Sequence, residues 1–263
     1  MNDMLLIEMP IYRPQYKRRI KYGYKNSKEK ENLYNVLEMC SEGYCMYCYT
    51  RIRVDGKRNG NLEHAIEKKN SDKLIECIPN IGLACTTCNQ TFKKRGDQKR
   101  RLSENIIREF EEKSKCTLEK RKRCTVPCGA LKKMQKHYNA SAEGKIILQP
   151  MGVKGNETGE PLALQYDVLN MEFRPASNFH TYSEEEKIFI EMHIKHFRLN
   201  DPVYKTRQLY DFIRNVIDNN GQMPQYEYNN WVVHQFRKNM ETKSSSEILK
   251  VCKSIFCIIF TKM

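Results

Sequence analysis

Cys45-Met46-Tyr47-Cys48, Leu62-Glu63-His64, Asn80-Ile81-Gly82 and Cys85-Thr86-Thr87-Cys88-Asn89 follow one another within a single short stretch of this chain. Each Cys-x-x-Cys pair puts two thiolates on one tight turn, and two such pairs complete a tetrahedral sulfur site for Zn²⁺. Four sulfurs leave no coordination position open. A zinc held by Cys45, Cys48, Cys85 and Cys88 is therefore structural, and any chemistry falls to the residues between and beside the pairs. Disulfides are the competing use of these thiols. Paired Cys-x-x-Cys turns, in a chain whose eleven cysteines are an odd number, favour metal.

The spacing says that something is inserted. Residues 49 to 84 separate the two pairs, whereas a compact zinc ribbon leaves roughly 15 to 20. Within the insert, Gly60-Asn61-Leu62-Glu63-His64-Ala65-Ile66 reads as a short strand after a turn, and Asn80-Ile81-Gly82-Leu83-Ala84 as its return. The second cysteine pair then opens a helix through Thr91, Phe92 and Lys93. The expected unit is strand, loop, strand, helix, stapled at its base by zinc.

Glu63-His64, Asn80 and Cys85-x-x-Cys88-Asn89 resemble the motif of the HNH endonucleases in its zinc-stapled form, whose fold is a ββα-metal finger. Glu in place of the commoner Asp before the histidine resembles the PtuB group, the HNH component of Septu antiphage systems and of some retrons. Glu191 to Arg207, with Leu199-Asn200 at its centre, is similar to the helical tail of that group. Members often carry Pro three residues after the histidine, followed by Lys; here Glu67 stands in its place and Lys68 follows.

Phosphodiester hydrolysis needs an activated water, stabilisation of the charge that develops on phosphorus, and help for the departing oxygen. The resemblance implies that His64 is the general base, that Glu63 and Asn89 hold one Mg²⁺ or Mn²⁺, and that Asn80 restrains the loop orienting His64. An imidazole titrates near neutral pH and accepts a proton without a large pKa shift. Glu and Asn offer hard oxygens suited to Mg²⁺. Each residue also has a plainer reading. A Glu-His pair among lysines is ordinarily solvated surface, Asn80 after Pro79 is turn chemistry, and Asn89 caps the zinc knuckle.

The 263 residues carry a formal charge of +14, unevenly spread. Residues 93 to 136 hold 16 Lys or Arg against six acids, a net +10. Such a patch suits a polyanion, and Lys68, Lys93, Lys94, Arg95, Lys99, Arg100 and Arg101 are its expected nucleic-acid contacts, with DNA the expected substrate. A second cluster, Arg13, Lys17, Arg18, Arg19 and Lys21, is interleaved with Tyr12, Tyr16, Tyr22 and Tyr24. Aromatic rings beside cations can stack on unpaired bases; a disordered or solvated basic arm is the alternative.

Met1 to Pro10 has Asp3 and Glu8, no basic leader and a break at Pro10, so no signal peptide is expected. The longest apolar run, Ile255 to Phe260, falls far short of the roughly 20 residues that span a bilayer. A cytoplasmic protein without membrane contact is expected.

A helix is expected from about 28 to 40 on the period of Leu33, Val36, Leu37 and Cys40, and another after Ser103 using Ile106, Ile107 and Phe110. Cys116, Cys124, Cys128 and His137 are candidates for a second zinc site, although their spacings fit no common pattern. Lys145–Gln149 and Leu162–Tyr166 read as a short hairpin. Ser183-Glu184-Glu185-Glu186 is a capping box, on whose helix His193 and His196 sit three apart, a weak metal signal. Asp201-Pro202 opens a further helix towards Gly221. The final segment has an apolar side of Ile248, Val251, Cys252, Ile255, Phe256 and Ile259 that docks on the protein itself or on a partner.

The expected architecture is α+β and mostly helical: a basic arm and helix over 1–40, a ββα-metal finger with a four-cysteine structural zinc over 41–100, and a basic helical extension with a helical carboxyl-terminal region over 101–263. The expected function is metal-dependent endonuclease cleavage. The PtuB resemblance adds a defence role and a PtuA-like ATPase partner of the SMC or ABC kind, contacted by the helices after residue 180. The sequence has no Gly-x-x-x-x-Gly-Lys-Ser/Thr phosphate loop of its own. Two other readings stand beside this one: a standalone restriction or mobile-element HNH nuclease, and a non-catalytic zinc module that binds nucleic acid.

Overall fold

A computed structural model describes residues 5–114, 124–203, 207–225 and 228–260. Mixed α and β structure surrounds one continuous apolar core. Strand β1 (Leu6–Glu8) is followed by helix α1 (Ser27–Cys40), whose first turn is capped by the Asn26 side chain accepting from the Glu29 amide. Its buried residues, Leu33, Tyr34 and Leu37, lie on one face as the 3.6-residue period requires. The arm before α1 departs from the sequence expectation. Tyr12 and Tyr22 are buried and Tyr16 packs edge-on against Tyr22, so these rings are core rather than platforms for bases.

A two-residue ribbon, β2 (Arg53–Val54) with β3 (Lys57–Arg58), leads into the central hairpin. There β4 (Gly60–His64) pairs antiparallel with β5 (Ile81–Cys85), setting Gly60 opposite Cys85, Glu63 opposite Gly82 and His64 opposite Ile81. Gly82 has a packing reason: a Cβ there would lie 2.7 Å from the carbonyl oxygen of Gln149, so only glycine lets that backbone cross the hairpin. A six-residue helical turn with π geometry, Thr87–Phe92, follows β5 directly. Strand, loop, strand and helical turn thus occur in the expected order.

Helices α2 (Glu104–Lys113) and α3 (Gly129–Ala140) pack together. The expected hairpin of Lys145–Gln149 with Leu162–Tyr166 does not form. Residues 145–148 run without strand pairing, with Ile146, Ile147 and Leu148 buried, and β6 (Leu164–Asp167) lies between β1 and β7 (Glu172–Pro175) in an antiparallel sheet. Local sequence favours the near neighbour. The sheet instead takes β1, because Ile7 and Tyr166 pair there and both enter the core.

The capping box forms at α4 (Glu184–His196), with Glu186 also accepting from the Glu157 and Thr158 amides. Next come α5 (Gln208–Asp218), α6 (Trp231–Lys238) and α7 (Ser245–Phe260). α5 begins later than Asp201-Pro202 predicts, and residues 204–206 lie outside the described ones. Ile248, Cys252, Ile255 and Ile259 of α7 are buried, and α7 packs on α5. That apolar side is therefore covered by the chain itself. No helix among the described residues is long and apolar enough to cross a membrane.

Candidate functional site

The ligand sulfurs of Cys45, Cys48, Cys85 and Cys88 all lie within 4.8 Å of one another, with Cys48 and Cys85 3.6 Å apart. Arms of about 2.3 Å in a tetrahedron put neighbouring sulfurs just under 4 Å apart, so the cage can hold a structural zinc. Hydrogen bonds from the other three thiols lower the pKa of Cys85, while burial raises those of Cys45 and Cys88. Two segments far apart in sequence build the cage: the turn after α1, and the junction of β5 with its helical turn.

Consecutive residues of a strand point to opposite faces, and Glu63 and His64 divide in this way. Glu63 is 3% exposed. The Tyr47 hydroxyl donates to its Oε2 at 2.8 Å, and the Lys93 ammonium stands 3.3 Å from its Oε1. Burial raises the Glu63 pKa, and Lys93 and Tyr47 counter that rise. Burial opposes the charge on Lys93 most strongly of any one effect, but Glu63, Tyr138 and Glu67 together outweigh it and the pKa is raised. The same ammonium donates to the Ala65 carbonyl at 2.7 Å.

Lys93 and Arg100 do not take the nucleic-acid role that the charge run suggests. Both are interior, at 3% and 2% exposed, and the correction has an electrostatic cause. Glu67, at the position where the HNH resemblance leads one to expect Pro, accepts from Arg100 Nε and Nη2 and from the Tyr138 hydroxyl, and lies 3.7 Å from Lys93. Two carboxylates thus draw two basic side chains inward from the charge run. Lys68, Lys94, Arg95, Lys99 and Arg101 are exposed, and Lys99 pairs with Glu143 at 3.2 Å.

His64 lies on the other face, 9% exposed. Its Nε2 is 3.1 Å from the Ile75 carbonyl oxygen, and the Tyr24 ring packs edge-on over it at 4.6 Å. Burial lowers its pKa, which favours the neutral imidazole at physiological pH. Glu76 holds Tyr24 in place by accepting from the backbone amides of Tyr24 and Lys25, at 2.8 and 2.9 Å. The ammoniums of Lys30 and Lys68 lie over the same ring. Nothing in the sequence motif points to Tyr24, which comes from the segment before α1, or to Glu76, which lies in the loop between His64 and Asn80 without being a motif residue.

Asn80 is fully buried. Its side chain accepts from the Ile66 amide at 2.8 Å and donates to the Ile66 carbonyl at 2.9 Å, and its own carbonyl accepts from Ala65. This amide clamp fixes the backbone just after His64. Asn89 is half-buried on the helical turn, one turn before Lys93. No family model, curated protein or solved structure matches this chain.

The donor set is a poor fit to Mg²⁺ or Mn²⁺ in this conformation, since Tyr47 and Lys93 already engage both oxygens of Glu63. His193 and His196 are not metal ligands here. Nδ1 of His193 accepts from the Ile147 amide at 3.0 Å, and its ring lies beside Tyr47 and Phe197. Burial takes the pKa of His193 down to about 3 and that of His196 to about 4. Phe197 stacks on Tyr47 at 4.7 Å and meets Phe92 edge-on, so the helical tail and the finger share one aromatic core. Asn200 there clamps the Phe173 backbone from both sides.

Proposed function

We propose that the chain is an HNH-type endonuclease that hydrolyses nucleic-acid phosphodiester bonds, with a zinc-stapled ββα finger as its catalytic unit and His64 as general base. The observation that carries this reading is the assembly, on one zinc-ready hairpin, of an imidazole kept neutral by burial and a buried amide clamping the loop behind it. A neutral imidazole accepts a proton from water, and a fixed backbone holds its ring in one orientation. Exposed Lys68 beside Tyr24 supplies positive charge for a phosphate near His64. Mg²⁺ or Mn²⁺ belongs to the reading through the family resemblance, as does an effector role beside an SMC- or ABC-like ATPase in antiphage defence.

His64→Ala tests the reading. Cleavage of DNA and of RNA is measured with Mg²⁺ and with Mn²⁺, alongside binding and thermal unfolding. A fall of about 10² to 10⁴ in rate is expected, with binding retained; a folded variant that cleaves at the wild-type rate overturns the assignment.

A second reading, a zinc module that binds nucleic acid without cutting it, is favoured by one observation. Glu63 is already charge-balanced by Lys93, and His64 is engaged by Ile75. Binding without cleavage by the wild type in either metal would establish it.

A further inference from the structure

Three cysteines outside the finger cage converge on one small cavity: Cys77, Cys124 and Cys128, together with Lys73 and the apolar walls Phe110 and Leu131. They come from two distant parts of the chain. Cys77 ends the loop between β4 and β5, just before the 3-10 turn Ile78–Asn80 that carries the clamp. Cys124 and Cys128 sit four apart ahead of α3, with Cys128 as its N-cap residue. The cavity is about 10 Å³, room for one atom-sized occupant and none for an organic ligand.

Cys128 is the N-cap residue of α3, and its thiol makes no capping hydrogen bond to the helix amides. Lys73 brings an ammonium to the same wall, anchored by the Glu111 carbonyl and the Ser114 hydroxyl. The stretch from Cys124 to Cys128 has no helix or strand of its own and leaves Val126 exposed. Thiol packing alone holds such a segment weakly, whereas a metal cross-link would fix it.

We propose that Cys77, Cys124 and Cys128 are ligands of a second zinc ion, separate from the finger cage, that ties the β4–β5 loop to the start of α3. Among the described residues only the finger cysteines already stand within 4.8 Å of one another, so the ion draws these three thiols together. Three thiolates fill three positions of a tetrahedral zinc, and the fourth goes to a ligand outside the three. Of the sequence candidates for such a site, Cys116 lies outside the described residues. His137 does not line this cavity, and Cys77 joins Cys124 and Cys128 there.

The test is zinc content of the full chain, purified without chelator and dialysed against zinc-free buffer. About two ions per chain are expected, falling to about one in Cys77→Ser and in Cys128→Ser and to about one in Cys88→Ser. One ion in the wild type, or an unchanged content in folded Cys77→Ser and Cys128→Ser, overturns the proposal. Should those variants fail to fold, titrating wild-type thiols with a mercurial while following zinc release decides it: about two ions released supports the site, and one refutes it.

Discussion

Lys93 Nζ lies 3.3 Å from Glu63 Oε1, and both side chains are almost fully withdrawn from solvent. A buried pair of this kind is held by its mutual charge and by its further hydrogen bonds, here from Tyr47 to Glu63 and from Lys93 to Ala65. Removing one partner leaves the other as an uncompensated buried charge. Lys93→Met is therefore expected to lower stability by about 3 to 5 kcal/mol, and adding Glu63→Gln to recover part of the loss. Chemical denaturation of the two variants and the wild type measures both.

Exposed cations should behave differently. Replacing Lys94, Arg95 and Arg101 by Ala is expected to leave thermal unfolding within about 0.5 kcal/mol of wild type each. The same changes should weaken nucleic-acid binding and flatten its dependence on salt concentration by about one counterion for each phosphate left unneutralised. Fluorescence anisotropy over a salt series tests this; an unchanged slope places the polyanion elsewhere.

Tyr24, which comes from before α1 and is held by Glu76, shields His64. Tyr24→Ala should expose the imidazole, so its modification by diethylpyrocarbonate should speed up several-fold. Its pKa should climb back towards about 6.5, and proton NMR of the ring reads that change directly. Equal reactivity in wild type and variant would mean that Tyr24 does not cover the ring in solution.

His193 and His196 make the protein sensitive to acid. Their folded pKa values, about 3 and about 4, lie below the unfolded value of about 6.5. The unfolded chain binds protons first as pH falls. The stability these two buried neutral rings allow is present above about pH 6.5 and drains away between about 6.5 and 3. Melting temperatures taken across that range should fall steadily, and His196→Gln should make the fall shallower.

The four-cysteine cage is legible in the sequence because its signal is local: two Cys-x-x-Cys turns and a hairpin between them need only spacing and alternation to be seen. α1 and the capping box of α4 are legible for the same reason, and the observed ends match Ser27–Cys40 and Ser183. What sequence could not convey is long-range. A run of basic residues does not reveal which members will meet a carboxylate, so Lys93 and Arg100 look like surface residues while Glu63 and Glu67 hold them inside. Nor does a strand's pattern name its partner, which is why residues 145–149 look like the mate of β6 although β1 takes that place. Tyr12 and Tyr22 resemble stacking residues in sequence, and only the folded structure shows them as core.

The pairing of Leu6 with Asp167 carries a consequence for how the chain is made. During synthesis Cys45 and Cys88 emerge close together in time, so the four-cysteine cage can close early. β1 must wait for some 160 further residues before β6 exists to receive it. Throughout that interval an extended segment bearing Leu5, Ile7 and Met9 has no native partner, and contacts so distant in sequence form slowly. The sheet that holds β1 is therefore completed late, after the four-cysteine cage is already able to close.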